Sequence, residues 1–458
     1  MNNTMKLLSI RLLLCIHALF ALSIAGYAQV ASSTTAETAL ADYLNKQDAA
    51  YRWEVKEHFI QDGADVYSLL LTSQQWREHT WLHQLSIIVP KELTQDGALL
   101  FITGGGMDKQ GQPKWSGEGD ALTQSFALIA NKNKAIVAVL KQTPNQPLYD
   151  NLVEDALISY TLHNFKKDHD YTWPLLFPMV KSAKRAMDAV QEFATQKLQK
   201  QVTRFVVSGA SKRGWTTWLT GANDSRVVAI APMVIDMLKM PVSVNYQIET
   251  WGDYSIQIQD YVKLGIVQEI DGNSGKEIVQ MIDPYSYRKQ LTMPKMIFMG
   301  TNDEYWPVDN IKNYYDSLPG QNFIHYIPNA GHSMGDKKEV MANLSSFFGL
   351  TLAKATYPVC SWTSSVSKKG VKLKIKATAK QLVDVVLWSA NSPDRDLRND
   401  TWTSKSLNLK NKSTLVVEDV FPASGYRAFY VNLIYKNEQG ELLTESTRVF
   451  LMDDKSLL

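Results

Sequence analysis

At 458 residues the chain exceeds what one hydrophobic core ordinarily supports, and with 45% hydrophobic and 21% charged residues it is globular rather than disordered. A formal net charge of +2 excludes the strong basic bias of nucleic-acid or anionic-lipid binders, and only two cysteines exclude a disulfide-built scaffold.

At the start, Lys6 and Arg11 flank or precede the apolar run LLLCIHALFALSIAG, and Gly26 and Ala28 stand where a signal peptidase would cut before Gln29. Residues 1–28 are predicted to be a cleaved secretory signal: the run is short for a span, and Cys15 lies too early for a lipoprotein site. The mature chain is expected to be exported, to the periplasm or the extracellular space, and not inserted in a membrane. Cleavage removes two basic residues and no acid, so no nucleic-acid partner is expected, and Cys360 is left as the single mature cysteine. No pattern fixes the oligomeric state.

From Ala36 to Leu350 short β-branched runs alternate with longer helical segments, the pattern of βαβ units and a mostly parallel sheet. LHQLSIIVP, GALLFITGGG, KAIVAVL, TRFVVSG, VVAIAPMVI, PKMIFMG and NFIHYIP are predicted strands; several are continuously apolar, as strands covered on both faces should be. KSAKRAMDAVQEFATQKL places Ala183, Ala186, Val190 and Phe193 at helical spacing. Residues 158–180 and 245–290 break the alternation with aromatics and prolines, Tyr246, Trp251, Tyr254 and Tyr261 among them. They are expected to be insertions that cover the sheet's rim and wall a substrate pocket, or else core aromatics.

After Lys354 the period changes to two. VKLKIKA, VDVVLWSA, STLVVEDVF, RAFYVNLIYKNEQG and ELLTESTRVFL predict a β-sandwich, immunoglobulin-like in strand count and spacing. The expected organisation is a catalytic domain of α/β-hydrolase type over 36–352 and a sandwich domain over 356–458.

The chemistry centres on VVSGASKRGWTTWL. A serine hydroxyl attacks well only when a histidine takes its proton, a carboxylate orients that histidine, and fixed donors meet the developing oxyanion. Ser211 lies between a predicted strand and a predicted helix, with Gly209 two residues before it and Gly214 three after, one position later than in the usual G-x-S-x-G elbow. Asp303 follows the strand PKMIFMG and His332 the strand NFIHYIP, which gives the chain order Ser, acid, His of the α/β-hydrolase fold. Asp236, after VVAIAPMVI, is a competing acid, and Glu304 and Asp309 are nearby acids less well placed, being further into the loop. Gly104, Gly105 and Gly106 end an early strand, so Gly105 and Gly106 are candidate oxyanion donors, together with the N–H of Lys212. Asp168, His169 and Asp170 carry metal-ligand chemistry in type only, since adjacent residues diverge; no metal or cofactor is expected.

GGG after the early strand, EDALISYT, YTWPLLFPMVKSAKRAMDAV, SGASKRGWTTWLT and RVVAIAPMVIDML together resemble the PhoPQ-activated pathogenicity-related proteins, over most of 36–350 and into the β region. The resemblance implies an exported α/β-hydrolase similar to dipeptidyl-peptidase-like serine hydrolases, with a link to virulence and antimicrobial-peptide resistance. Peptide cleavage is then the first expectation, an acyl or carbohydrate ester the second, and a non-catalytic binding or signalling role the third. The S-K-R-G segment also resembles the S-R-x-G of glucuronoyl esterases, where an arginine helps hold the oxyanion. Either Arg213 or Lys212 would take that place here.

Overall fold

Two strands that the sequence pattern does not announce open the sheet: β1 (Arg52–Gln61) and β2 (Ala64–Trp76), with β3 (His79–Val89) antiparallel to β2. β1 is an edge strand carrying Arg52, Glu54, Lys56 and Glu57, and such charge suits an edge that must not pair further while hiding the apolar alternation. The computed structural model describes residues 34–458, so the expected signal segment lies outside the described residues. Among these, no helix is long and apolar enough to cross a membrane.

The seven expected strands all form. β4 (Gly97–Ile102), β5 (Ile136–Leu140), β6 (Arg204–Ala210), β7 (Val227–Met233), β8 (Lys295–Gly300) and β9 (Asn322–Ile327) follow β3 in the sheet order β3-β5-β4-β6-β7-β8-β9, parallel from β5 onward. Their continuous apolar runs reflect cover on both faces. Leu100, Ile102 and Val207 enter one core beneath the helices Glu154–Asp168, Leu176–Phe193 and Lys212–Asn223; Leu99, Phe101 and Val206 enter the other beneath Ala121–Asn133 and Lys338–Leu352.

Residues 158–180 prove to be ordinary layer structure rather than a rim insertion. They finish the helix Glu154–Asp168 and begin Leu176–Phe193, with Leu162, Phe165 and Phe177 fully buried. Tyr149, Tyr160 and Trp173 pack together beside them. Residues 245–290, by contrast, complete the helix Met240–Trp251 and fold into further short helices between β7 and β8.

The C-terminal strands are β10 (Cys360–Val366), β11 (Gly370–Ala377), β12 (Leu382–Ser392), β13 (Thr403–Ser406), β14 (Thr414–Val420), β15 (Tyr426–Lys436), β16 (Leu442–Ser446) and β17 (Phe450–Met452). β16 pairs with β9 at Ser446 and Ile324, so β16, β15, β12 and β13 prolong the central sheet. β10, β11 and β14 make a separate three-stranded sheet, and Leu373, Ile375 and Val417 share a core with Val385, Val431 and Leu433 of the extended one.

Candidate active site

Ser211 sits between β6 and the helix Lys212–Asn223 with φ 59° and ψ −125°, a backbone state that a residue with a side chain adopts at a cost of about 1–3 kcal/mol. Two glycines make the turn feasible. A Cβ on Gly209 would lie 2.8 Å from the Arg213 carbonyl oxygen, and one on Gly214 would lie 2.8 Å from that of Met233. The glycine displaced by one position therefore serves the same close approach, one residue further into the helix.

The Ser211 hydroxyl lies 2.8 Å from His332 Nε2, and His332 Nδ1 lies 3.0 Å from Asp303 Oδ2. Asp303 is almost fully buried and also accepts the backbone N–H of Tyr305 at 2.9 Å. Asp236 has no part in this line. Burial pushes its carboxyl up to about 7, and it accepts hydrogen bonds from Tyr314 and Asn310 instead.

Two neighbours of Asp303 also reach His332: Glu304, which the sequence offers only as a less well placed acid, and Tyr305, which no motif singles out. Glu304 accepts the backbone N–H of His332 at 2.8 Å, and the Tyr305 ring stacks on the imidazole with centroids 4.1 Å apart. Asp-Glu-Tyr thus touches His332 three ways. Periodicity could not reveal this, because the contact joins two loops.

Lys212 and Arg213 are both anchored by consecutive acids at the head of the helix Glu154–Asp168. Lys212 pairs with Asp155 at 2.6 Å, and Asp155 also accepts from the Tyr261 hydroxyl. Arg213 forks onto Glu154 through two bonds of 2.7 Å and donates from Nε to the Thr143 carbonyl. Burial alone would raise the Glu154 carboxyl, but Arg213 and the Gln146 amide hold it below the usual range. The Arg213 guanidinium also supports the glycine loop, since a Cβ on Gly104 would fall 2.7 Å from it.

β4 and β6 are adjacent, with Ile102 paired to Gly209, so the Gly104, Gly105 and Gly106 loop leaves the sheet beside the elbow. Gly105 takes φ 132° there. Asp168, His169 and Asp170 point to separate partners, Trp173, Glu277 and Arg77.

A pocket opens at Ser211 and His332. Its walls include Trp215, Ile235, Met237, Val244, Ile258 and Trp306, with the Lys212–Asp155 pair as the charged element. Ile258, Tyr261 and Val267 of the pocket lining fall within residues 245–290, so that aromatic-rich stretch does wall the site, while its counterpart at 158–180 does not.

A mixed sheet flanked by helices, with a serine on a strained strand-to-helix turn beside a histidine and a carboxylate from later loops, resembles the α/β-hydrolases. The chain belongs to the family described as PhoPQ-activated pathogenicity-related protein, whose model matches residues 40–398. It is 28% identical over 446 residues to autocrine proliferation repressor protein A of Dictyostelium discoideum, covering 90% of this chain and 89% of that one. Among solved structures it is similar to acetyl xylan esterase 1 from a Thermoanaerobacterium species, at 14% identity and TM-score 0.49 over 69% of this chain and 93% of that one. A glucuronoyl esterase from Solibacter usitatus is similar at 12% identity and TM-score 0.42, over 71% and 94%.

Proposed function

We propose that the protein is an exported serine hydrolase in which Ser211 is the nucleophile, His332 the general base and then acid, and Asp303 the carboxylate that orients it. The observation that carries this reading is the continuous line Ser211 Oγ, His332 Nε2, His332 Nδ1, Asp303 at 2.8 and 3.0 Å on a strained elbow. His332 takes the hydroxyl proton as Ser211 attacks the substrate carbonyl, and returns it to the leaving group, so that an acyl-enzyme forms. Water then enters by the same route in reverse. The oxyanion falls to the backbone N–H of Lys212 and to the glycine loop, Gly105 or Gly106. The Lys212 and Arg213 side chains are engaged by acids, which supports backbone donors over a free cation.

The apolar walls support a substrate whose acyl group is uncharged and hydrophobic. Among the described residues the one carboxylate in the pocket lining, Asp155, is paired with Lys212, which leaves it engaged rather than open to a peptide's terminal amine; with the apolar walls this supports esters of apolar acids over aminopeptidase-type substrates. Peptide cleavage after a residue such as Leu or Phe is the second reading, since the same walls would seat that side chain. A link to virulence or antimicrobial-peptide resistance is supported by family membership alone. Two facing sheets with a common core support an immunoglobulin-like module over 356–458 beside a catalytic region over 36–352.

The test is a panel of p-nitrophenyl esters and peptide p-nitroanilides with wild type and Ser211→Ala. Ester turnover lost in the variant is expected. Turnover of anilides alone would replace the ester reading with the peptidase one, and turnover of neither would favour a non-catalytic role.

A further inference from the structure

The loops carrying Asp303 and His332 are each tied to one C-terminal segment by an asparagine. Asn302, the residue before Asp303, donates from its side-chain amide to the carbonyls of Leu397, Arg398 and Asp400 at 3.1, 3.1 and 2.8 Å. Asn329, three residues before His332, donates to the Trp402 carbonyl at 2.9 Å and accepts the Trp402 N–H at 2.7 Å. The loops are also joined to each other: the Thr301 hydroxyl donates to the Asn302 side-chain oxygen, and the Asn329 N–H donates to Thr301 Oγ1 at 2.8 Å.

The anchor is buried at both ends. Trp402 is only 2% exposed and packs on Tyr430, which in turn meets Tyr326 of β9. Nearby, Arg395 donates to the Tyr246 hydroxyl and Arg398 lies 3.9 Å over the Trp251 ring, so the same stretch grips the helix Met240–Trp251. Backbone carbonyls on a loop need partners, and here the residues flanking the acid and the base supply them. A shift of about 1 Å in such a loop can cost on the order of 100-fold in rate.

We propose that the segment Leu397–Trp402 is a clamp on the triad, with Asn302 and Asn329 as the positioning residues through which it sets the Asp303 and His332 loops. The inference rests on the triad reading and gives the connection between β12 and β13 a part in positioning the triad. Asn343 provides a matched control. It exchanges the same pair of hydrogen bonds with Thr444, tying the helix Lys338–Leu352 to β16, but stands on a helix rather than in a loop that carries the triad.

The experiment uses the full chain, with Asn302→Ala, Asn329→Ala and Asn343→Ala compared by ester kinetics and by the rate of fluorophosphonate labelling. The first two should lose about 10- to 100-fold in kcat and in labelling rate, with KM within about threefold of wild type. Asn343→Ala should lower Tm and leave both rates within about twofold. Asn329→Asp keeps the acceptor for the Trp402 N–H and should fall between wild type and Asn329→Ala; it also serves if the alanine variant fails to fold. Folded Asn302 and Asn329 variants that react at wild-type rates, or an Asn343 variant that slows equally, would overturn the clamp. Labelling that survives Ser211→Ala would instead remove the triad reading beneath it.

Discussion

Tyr305 lays its ring on the His332 imidazole, with centroids 4.1 Å apart and planes inclined by 29°. Offset aromatic contacts of this kind are worth about 0.5–1.5 kcal/mol beyond area burial, enough to bias the ring toward the orientation that meets Ser211. Glu304 holds the same residue by its backbone. Glu304→Ala should lower kcat about tenfold, whereas Glu304→Gln, which keeps an acceptor for the His332 N–H, should stay within about threefold. Tyr305→Ala should lose more than Tyr305→Phe, because the ring makes the contact; steady-state kinetics on one ester would decide both comparisons.

Arg213 tests whether a cation beside the nucleophile acts on the oxyanion or on the fold. Its fork onto Glu154 is partly buried, with the Glu154 side chain about a third exposed. Removing one partner should therefore cost about 2–3 kcal/mol, below the figure for a fully buried pair. Arg213→Ala is expected to lower the urea midpoint by a corresponding amount, and Arg213→Met combined with Glu154→Gln should recover most of it. Recovered stability without recovered activity would return Arg213 to the oxyanion.

Asp236 gives a pH signature. Burial raises its folded carboxyl to about 7, against an ordinary value of about 4, so its contribution to stability is complete below pH 4 and is lost as pH rises through 7. The loss has an upper bound of about 4 kcal/mol at 1.4 kcal/mol per unit. Asp283, also raised to about 7 by burial, adds a loss of the same sign. Asp236→Asn, which keeps an acceptor for the Tyr314 hydroxyl, should flatten the decline in Tm between pH 4 and 8. An unchanged slope would contradict this assignment.

Pocket size should set chain-length preference. Val244 lies in the pocket wall on the helix Met240–Trp251, and Val244→Phe would fill space beside Trp215 and Ile258. The variant should keep turnover of acetyl esters within about threefold and lose at least tenfold on butyl or longer acyl groups. Equal losses on all esters would mean that the acyl group lies elsewhere.

Strands such as GALLFITGGG and TRFVVSG were legible because burial on both faces leaves continuous apolar runs. Ser211, Asp303 and His332 were legible because chain order and the strand before each loop survive in one dimension. β1 was not, since charge on an edge strand masks its period. Glu304, Tyr305, Asn302 and Asn329 act between loops 25 or more residues apart, or on backbone carbonyls, and no local spacing encodes either. The same holds for Glu154 and Asp155, whose partners stand in the elbow.

The most direct measurement is the intact mass of folded protein after reaction with a fluorophosphonate, followed by peptide mapping. A single phosphonyl adduct on Ser211 is expected in wild type and none in Ser211→Ala. An adduct that persists in the variant, or folded wild type that remains unmodified, would contradict Ser211 as the nucleophile.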